Sequence, residues 1–203
     1  MALIRDGAIF INKDGTLVDD VPYNVDPDRI HLTAGARDGL RRLCERGFRL
    51  VVVSNQGGVA RGYFTEESLV AVEERLRDLL RGFGVPLAGF YYCPHDPQGR
   101  IKSYATSCLC RKPRPGLFQR AAREGHFDLR RSWCIGDILD DVEAGHAAGC
   151  RSVLIDNGCE TKWQLSERRV PDYIARNIDE AAGFIIDASG PGRPVRPQSF
   201  ARQ

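Results

Sequence analysis

Four short polar segments could carry chemistry, and each lies where an apolar segment ends or a helix begins. They are Asn12–Thr16, Ser54–Gln56, Arg111–Pro113 and Gly136–Asp141. In an open α/β sheet, ligands bind beyond the carboxyl ends of the strands, so one sheet edge could bring all four segments together. Each segment is a weak signal alone, because Asp-Gly-Thr is usually a turn and Ser-Asn usually caps a helix. The prediction of a single site therefore depends on all four.

A second group of residues has the composition of a metal site. Cys93 and His95 are followed, after an intervening segment, by Cys108 and Cys110. Three thiolates and one imidazole make the ligand set of a structural, four-coordinate Zn²⁺ site. The spacing is tighter than in common zinc fingers, so buried or free cysteines with a surface histidine remain the alternative. A nucleic-acid-binding zinc ribbon is disfavoured, since the intervening segment holds too few basic residues for a phosphate-binding patch.

The elements that would position these side chains alternate between strands and helices. Apolar runs predict the strands and helical periodicity predicts the helices. The alternation implies βαβ units in a doubly wound, mostly parallel α/β sheet with helices on both faces. The predicted strands are 8–11, 48–53, 88–92, 133–135, 151–155 and 173–175. The predicted helices are 36–46, one that Thr65 caps and that ends near residue 83, 115–123, 140–148 and 178–186. Residues 93–110 interrupt the alternation as an insertion.

The bulk composition is that of one soluble globular domain. The chain has 203 residues, of which 42% are hydrophobic and 28% charged, and this is enough for one sizeable core. A net charge of +2 argues against a dedicated nucleic-acid surface. No apolar run is long enough to span a membrane, and the N-terminus lacks the features of a signal peptide. We therefore expect a cytoplasmic protein with one domain over residues 1–187 and a disordered tail over residues 188–203.

In this order, the four polar segments resemble the motifs of the haloacid dehalogenase-like phosphatases. The matches are Asn12–Leu17 with Asp-x-Asp-Gly-Thr-Leu at every position but the first, Ser54 with the second motif, Lys112 with the third, and Asp137 and Asp141 with the fourth. The segments 54–56, 60–62 and 108–116 are similar to the subgroup that contains heptose bisphosphate and histidinol-phosphate phosphatases. The four predicted zinc ligands match that subgroup too. The resemblance covers about residues 9–186 and implies the Rossmann-like fold of the family.

The resemblance implies an aspartyl-phosphate mechanism, in which the side chain at position 12 attacks phosphorus. Asp14 would be the general acid toward the leaving alcohol and then the base for the hydrolytic water. Ser54 and Lys112 would hold the transferring phosphoryl group, which needs positioning and charge neutralisation above all.

The resemblance also implies the residues that bind substrate and metal. Asn55 and Arg111 would help to position the substrate. Arg61 could reach a second phosphate, or it could be a solvated loop residue. Mg²⁺ would bind the side chain of residue 12, the Asp14 carbonyl and Asp137, with Asp141 as the outer carboxylate, because this ion prefers hard oxygen ligands. The zinc would be structural and would act on catalysis by positioning Arg111 and Lys112.

Asn12 departs from the family pattern at the nucleophile itself. A neutral amide is a poor nucleophile, and the lost negative charge should weaken Mg²⁺ binding. The amide oxygen could still bind a metal, and the lower charge would reduce repulsion of an incoming phosphate. Three interpretations stay open: an engineered substitution, a natural binding or regulatory relative without turnover, or altered chemistry supported by Lys13 or Asp14. We expect this chain to turn over slowly or not at all.

The function predicted from the sequence is a phosphatase of a small sugar bisphosphate, with heptose 1,7-bisphosphate favoured. The alternatives are a non-catalytic phosphosugar-binding protein, a histidinol-phosphate phosphatase and, against the net charge, a nucleic-acid 3′-phosphatase. Ile138 leaves the substrate open, since a lysine is expected there in several heptose phosphatases. The short spaces between motifs leave no room for a large cap domain, so we expect an open site on a monomer without membrane or nucleic-acid partners.

Overall fold

The computed structural model describes residues 6–190, and a six-stranded sheet lies at its centre. Its strands are β1 (Ala8–Ile11), β2 (Arg49–Asn55), β3 (Leu87–Cys93), β4 (Trp133–Gly136), β5 (Arg151–Ile155) and β6 (Tyr173–Ala175). All neighbouring pairs are parallel, and the spatial order is β3-β2-β1-β4-β5-β6. The chain winds outward from β1 to β3 and then returns to place β4 beside β1. The carboxyl ends of β1 and β4 therefore form the switch point at which such sheets bind ligands.

Helices cover both faces of this sheet. They are α1 (Ala36–Glu45), α2 (Gly58–Arg61), α3 (Ser68–Arg81), α4 (Gly116–Gly125), α5 (Leu139–Ala148) and α6 (Ile178–Ala188). Apolar side chains of α1, α3 and α6 form one buried cluster with the sheet, and side chains of α4 and α5 contribute to a second. The predicted doubly wound, mostly parallel α/β fold is confirmed, and residues 6–190 form no large cap domain.

Strand β1 shows why its loop is held rigidly. Ile9 and Ile11 belong to one buried cluster, and Ala8 and Phe10 belong to the other. Successive strand residues point to opposite faces, so an entirely apolar strand is buried on both sides. The Phe10 ring lies 5.1 Å from the ring of Phe118 on α4. The polar residues after Ile11 thus follow a strand that is buried on both faces of the sheet.

Three local expectations differ from the structure. Strand β2 continues to Asn55 because Ser54 and Asn55 still pair with β3, so these polar residues end the strand rather than begin a loop. The short helix α2 was not predicted, since its first residue follows another glycine. The prediction that Thr65 caps α3 is wrong. Glu67 occupies the N-cap position, and the Thr65 side chain hydrogen-bonds Glu67 instead, which is the local competition that Ser and Thr side chains offer.

The predicted domain boundary at residue 187 lies one residue inside α6, which ends at Ala188. Residues 191–203 of the predicted tail lie outside the described part of the chain. Among the described residues, no helix is long and apolar enough to cross a membrane.

An ion pair fastens the β5–β6 connection to α5. His146 Nε2 lies 3.0 Å from Asp172 Oδ2, and Ser152 N donates to the same carboxylate oxygen at 2.7 Å. Burial lowers the pKa of His146, but the Asp172 hydrogen bond and charge outweigh it and raise the pKa above the usual 6.5. The β5–β6 connection, which this pair anchors to α5, also contacts the site described below.

We expect the free energy of unfolding to fall as the pH rises through the folded-state pKa of His146. The charged pair stabilises the fold fully below the ordinary pKa of histidine, and its contribution, of the order of 1 kcal/mol, is lost once the imidazole is neutral in both states. Urea unfolding between pH 6 and 8.5 measures this. His146→Gln should flatten the dependence, whereas His31→Gln, at an exposed position, should leave it unchanged; an equal slope in both variants would contradict the assignment.

Candidate active site

Asn12 lies at the centre of the site, directly after β1. Its backbone N–H donates to the Ile135 carbonyl of β4 at 2.9 Å, which fixes the loop at the switch point. Its side-chain Nδ2 donates to the Asp14 carbonyl oxygen and to Asp137 Oδ1, each at 2.8 Å. Its Oδ1 accepts a hydrogen bond from Lys112 Nζ, also at 2.8 Å. The structure therefore brings the first, third and fourth polar segments together on one side chain.

Lys112 is almost completely buried, and three oxygen atoms surround its ammonium group. Besides Asn12, it donates to the Val53 carbonyl at 3.0 Å, and it forms an ion pair with Asp141 Oδ1 at 2.5 Å. The Asp141 contact is an ion pair rather than an aligned hydrogen bond. The Asn55 amide holds the Lys112 backbone from both sides, accepting from N at 3.0 Å and donating to O at 3.1 Å. In this structure Asn55, predicted to position substrate, positions Lys112.

Asp141 supports the same cluster from the first turn of α5. Burial raises the pKa of its carboxyl, and the Lys112 charge opposes that shift. Its Oδ2 accepts from the backbone N–H groups of Asp137 at 3.3 Å and Ile138 at 3.4 Å. The carboxylate predicted as the outer metal ligand thus contacts Lys112 and orders the loop that carries Asp137.

Asp14 faces the open side of the site, and its side chain is 31% exposed. Its carboxylate pairs with the buried ammonium of Lys13 and accepts from Gln56 Nε2 at 3.0 Å. Gln56 also donates to Ser54 Oγ at 2.7 Å. Gln56 thereby links the predicted general acid to the predicted phosphate-binding hydroxyl, a role that sequence reasoning missed although the residue stands in the second polar segment.

The β5–β6 connection supplies further contacts that were not predicted. Asn157 Nδ2 donates to the Gly15 carbonyl at 2.6 Å, and Glu160 accepts from Leu139 N at 2.7 Å, where α5 begins. Burial and the Asp137 carboxylate raise the pKa of Cys159 to about 11. The polar residues that follow β5 form the same kind of sequence signal as the four segments named above, because they too stand where a strand ends.

Gly15 is required by this close packing. Its φ is +76°, a conformation that side chains disfavour, and a Cβ there would lie 2.4 Å from Asp137 Oδ2. Thr16 Oγ1 donates to Asp137 Oδ1 at 2.6 Å. Asp137 is therefore held by donors on both flanks of this glycine.

Two arginines meet on Asp96, which lies within the predicted zinc loop and is buried. Arg61 donates from Nε at 2.8 Å and approaches with Nη2 at 2.7 Å, and Arg111 Nη2 lies 3.9 Å away. Burial alone would raise the pKa of Asp96, but hydrogen bonds from the Gln98 N–H and Arg61 hold it below its usual range. Arg61 is therefore tied to the loop that carries Arg111 and Lys112.

The four predicted zinc ligands form a compact cluster, and their ligand atoms all lie within 4.8 Å of one another. The distances are 3.5 Å between the sulfurs of Cys93 and Cys108, 3.2 Å between Cys93 and Cys110 and 3.1 Å between Cys108 and Cys110. His95 Nδ1 lies 3.4 Å from Cys110 Sγ. Thiolates at about 2.3 Å from a tetrahedral zinc would be about 3.8 Å apart, slightly farther than these sulfurs are. Three thiols and one imidazole in so compact a cluster match the ligand set of a structural zinc site in kind. Arg111 N also donates to Cys108 Sγ at 3.3 Å.

The oxygen atoms beside Asn12 fit Mg²⁺ in kind. The Asp14 carbonyl and Asp137 Oδ1 both lie 2.8 Å from Asn12 Nδ2, so two hard donors converge on one point. The third expected ligand, the Asn12 side chain, directs its NH₂ group toward this point. Its Oδ1 would reach a cation there only if the amide group flipped.

The fold and these motifs define a phosphoric monoester hydrolase with a Rossmann-like domain. A family model described as polynucleotide kinase 3 phosphatase matches residues 12–138, and one described as HAD-hydrolase-like matches residues 109–181. The chain belongs to the haloacid dehalogenase-like phosphatases, as its motifs predicted.

Named relatives cover most of the chain. The D-glycero-beta-D-manno-heptose-1,7-bisphosphate 7-phosphatase of Yersinia pestis is 40% identical over 152 residues, which are 74% of this chain and 81% of that protein. The Pasteurella multocida protein of the same name is 39% identical over 180 residues, 88% and 96% of the two chains. The crystal structure of D,D-heptose 1,7-bisphosphate phosphatase from B. bronchiseptica, complexed with magnesium and phosphate, has a TM-score of 0.73 and 26% identity and covers 89% of this chain and 98% of its own.

Proposed function

We propose that this chain binds D-glycero-D-manno-heptose 1,7-bisphosphate in an open site and hydrolyses it slowly or not at all. The observation that carries this proposal is the contact of Asn12 with Lys112 and Asp137. Lys112 and Asp137 surround position 12 as they would in a phosphoryl-transfer site. The side chain at the position of the nucleophile, however, is an amide. The relatives named for this substrate favour the heptose over other phosphate esters.

The charge distribution supports a substrate with two phosphates. One cation, Lys112, stands beside Asn12, and the guanidinium groups of Arg61 and Arg111 stand around Asp96. Arginine offers a planar pair of donors that suits a phosphate, and lysine offers a point charge. We assign the transferred phosphate to Ser54 and Lys112, and the other phosphate to the two arginines.

The remaining residues have roles in proton transfer and orientation. Asp14 faces the solvent side, where a leaving alcohol would lie, and Lys13 and Gln56 orient its carboxyl group. This group would donate a proton to the alcohol in its protonated form and accept one from the hydrolytic water as a carboxylate. Mg²⁺, when bound by the Asp14 carbonyl and Asp137, would neutralise charge on the transferring phosphoryl group. The Asn12 side chain gives that group no carboxylate, so this chain retains the ester instead of forming an aspartyl-phosphate.

We further propose that Zn²⁺ occupies the cysteine–histidine cluster and that the protein acts as a cytoplasmic monomer. Four protein ligands leave no open coordination position, so the zinc holds the loop and takes no part in the chemistry. The loop carries Asp96, and it leads directly into Arg111 and Lys112.

A comparison of ligands tests the proposed substrate. Calorimetric titration of the unmodified chain should give tighter binding for the heptose bisphosphate than for histidinol phosphate or an oligonucleotide with a 3′-phosphate. The last ligand is included because a 3′-phosphatase family model matches residues 12–138. Tightest binding of either competitor would replace the heptose proposal with that function.

Arg61→Gln should weaken binding of the bisphosphate about tenfold and leave the 7-phosphate monoester nearly unaffected, because only the bisphosphate offers a second anion. Arg130→Gln, which removes an 88% exposed side chain, is the matched control and should change neither affinity. Equal losses for both ligands would show that Arg61 acts through Asp96 and the loop rather than on the second phosphate.

A further inference from the structure

We propose that the Asn12 amide performs the structural role of a cation in this pocket. It joins the Asp14 carbonyl to the Asp137 carboxylate, so that the chain binds a phosphate monoester without a divalent metal ion. The inference rests on the proposed phosphate site but not on which ester fills it.

The hydrogen bonds fix which way the amide points. Both hydrogens of Nδ2 are used, one by the Asp14 carbonyl oxygen and one by Asp137 Oδ1, and Oδ1 accepts from Lys112. Turning the amide over would place Oδ1 against two acceptors and the NH₂ group against an ammonium group. All three hydrogen bonds would be lost, and such losses inside a buried network are costly. The edge of Asn12 that faces the two ligand oxygens is therefore a donor.

An aspartate at position 12 would need a cation between itself and Asp137, whereas the amide does not. Its oxygen in place of Nδ2 would lie near Asp137 Oδ1 and the Asp14 carbonyl with no proton between them. Two carboxylates in such close contact repel each other. A divalent ion would offset that repulsion. In this chain the two N–H groups of Asn12 hydrogen-bond the same oxygens instead.

The other contacts of the two oxygens complete the arrangement. Asp137 Oδ1 also accepts from Thr16 Oγ1 at 2.6 Å, and the Gly15 N–H donates to the Val18 carbonyl at 2.9 Å, which closes the turn that carries the Asp14 carbonyl. The ligand oxygens are held at their positions by protein donors alone.

The charges around Asn12 lie mostly in pairs. Asp14 pairs with Lys13 and Asp141 pairs with Lys112, while Asp137 is held by the neutral donors Asn12 and Thr16. An aspartate at position 12 would add a second carboxylate beside Asp137 and would repel a phosphate dianion until a cation bound. With the amide, the dianion meets one negative charge fewer beside the buried Lys112.

Titration with inorganic phosphate tests the inference on the unmodified chain and on Asn12→Asp. The buffer should be freed of divalent ions with a chelating resin, because excess EDTA would also compete for the cysteine cluster. We expect the phosphate affinity of the unmodified chain to change by less than about threefold when millimolar Mg²⁺ is added. That of Asn12→Asp should rise at least about tenfold.

Thermal unfolding gives a second readout that needs no turnover. Mg²⁺ alone should raise the Tm of Asn12→Asp and leave that of the unmodified chain unchanged, since only the former binds the ion tightly. If the unmodified chain needs Mg²⁺ for phosphate binding, or is stabilised by Mg²⁺ as much as the variant, the amide does not replace the cation, and the proposed function stands. If neither protein binds phosphate with or without Mg²⁺, the phosphate site itself is refuted.

Discussion

Replacing Asn12 with aspartate is expected to raise the rate of phosphate release from heptose 1,7-bisphosphate, in the presence of Mg²⁺, by at least about 10³-fold. That factor corresponds to about 4 kcal/mol of transition-state stabilisation. The reason is geometric, because the new carboxylate would leave the same rigid end of β1, beside Lys112 and Asp137. Under the proposed function, the nucleophile would be restored in a site where Ser54 and Lys112 bind the phosphate and Asp14 serves as the general acid.

Steady-state assays of inorganic phosphate release measure this effect. Asn12→Ala is the matched control, since it also removes the amide but supplies no carboxylate, and it should stay at the level of the unmodified chain. Intact-mass spectrometry of each preparation checks that slow deamidation of Asn12 has not produced the active form. If Asn12→Asp releases no phosphate from the heptose bisphosphate, histidinol phosphate or an aryl phosphate, the proposed phosphatase site is wrong.

Substituting one ligand of the cysteine–histidine cluster should have the largest effect on stability. Cys110→Ser is expected to remove the zinc and to lower the free energy of unfolding by about 4 kcal/mol, since metal binding to such a site is itself folding free energy. The loop between β3 and α4 would lose the metal that joins its ends, and the positions of Arg111 and Lys112 would no longer be fixed by it. Binding of the phosphate ester should fall with the zinc content.

Elemental analysis and urea unfolding separate this effect from a general cost of losing a cysteine. The unmodified chain should contain about one zinc per molecule. Cys44→Ser, on α1 and remote from the cluster, should retain the zinc and stay within about 1 kcal/mol of the unmodified chain. A folded, phosphate-binding protein without zinc would exclude the metal from this role.

The positions of the strands could be predicted from the sequence because each strand is marked by a local run of apolar residues. Apolar runs such as Ile9–Ile11 can be buried on both faces only in the middle of a covered sheet. The parallel order then brings the polar ends of β1, β2 and β4 to one edge. For this reason the gathering of Asn12, Ser54 and Asp137 followed from the chain alone.

The contacts within the site could not be predicted in the same way. Gln56 and Asn157 act through hydrogen bonds to residues far away in sequence, and no spacing rule identifies such partners. The direction of the Asn12 amide depends on three neighbours from three segments, which only the folded chain brings together. Likewise, the sequence left Arg61 open between a solvated residue and a substrate ligand, and its partner Asp96 became visible only in the structure.

The hydrogen bonds of Asn12 also have an evolutionary consequence. Asparagine and aspartate codons differ at one base, and the amide keeps the loop, the buried lysine and the acidic residues around it in the arrangement that an aspartate would use. Under the proposed function, a chain of this kind can lose turnover and keep its architecture. A single base change at position 12 then separates it from the aspartate of the family motif.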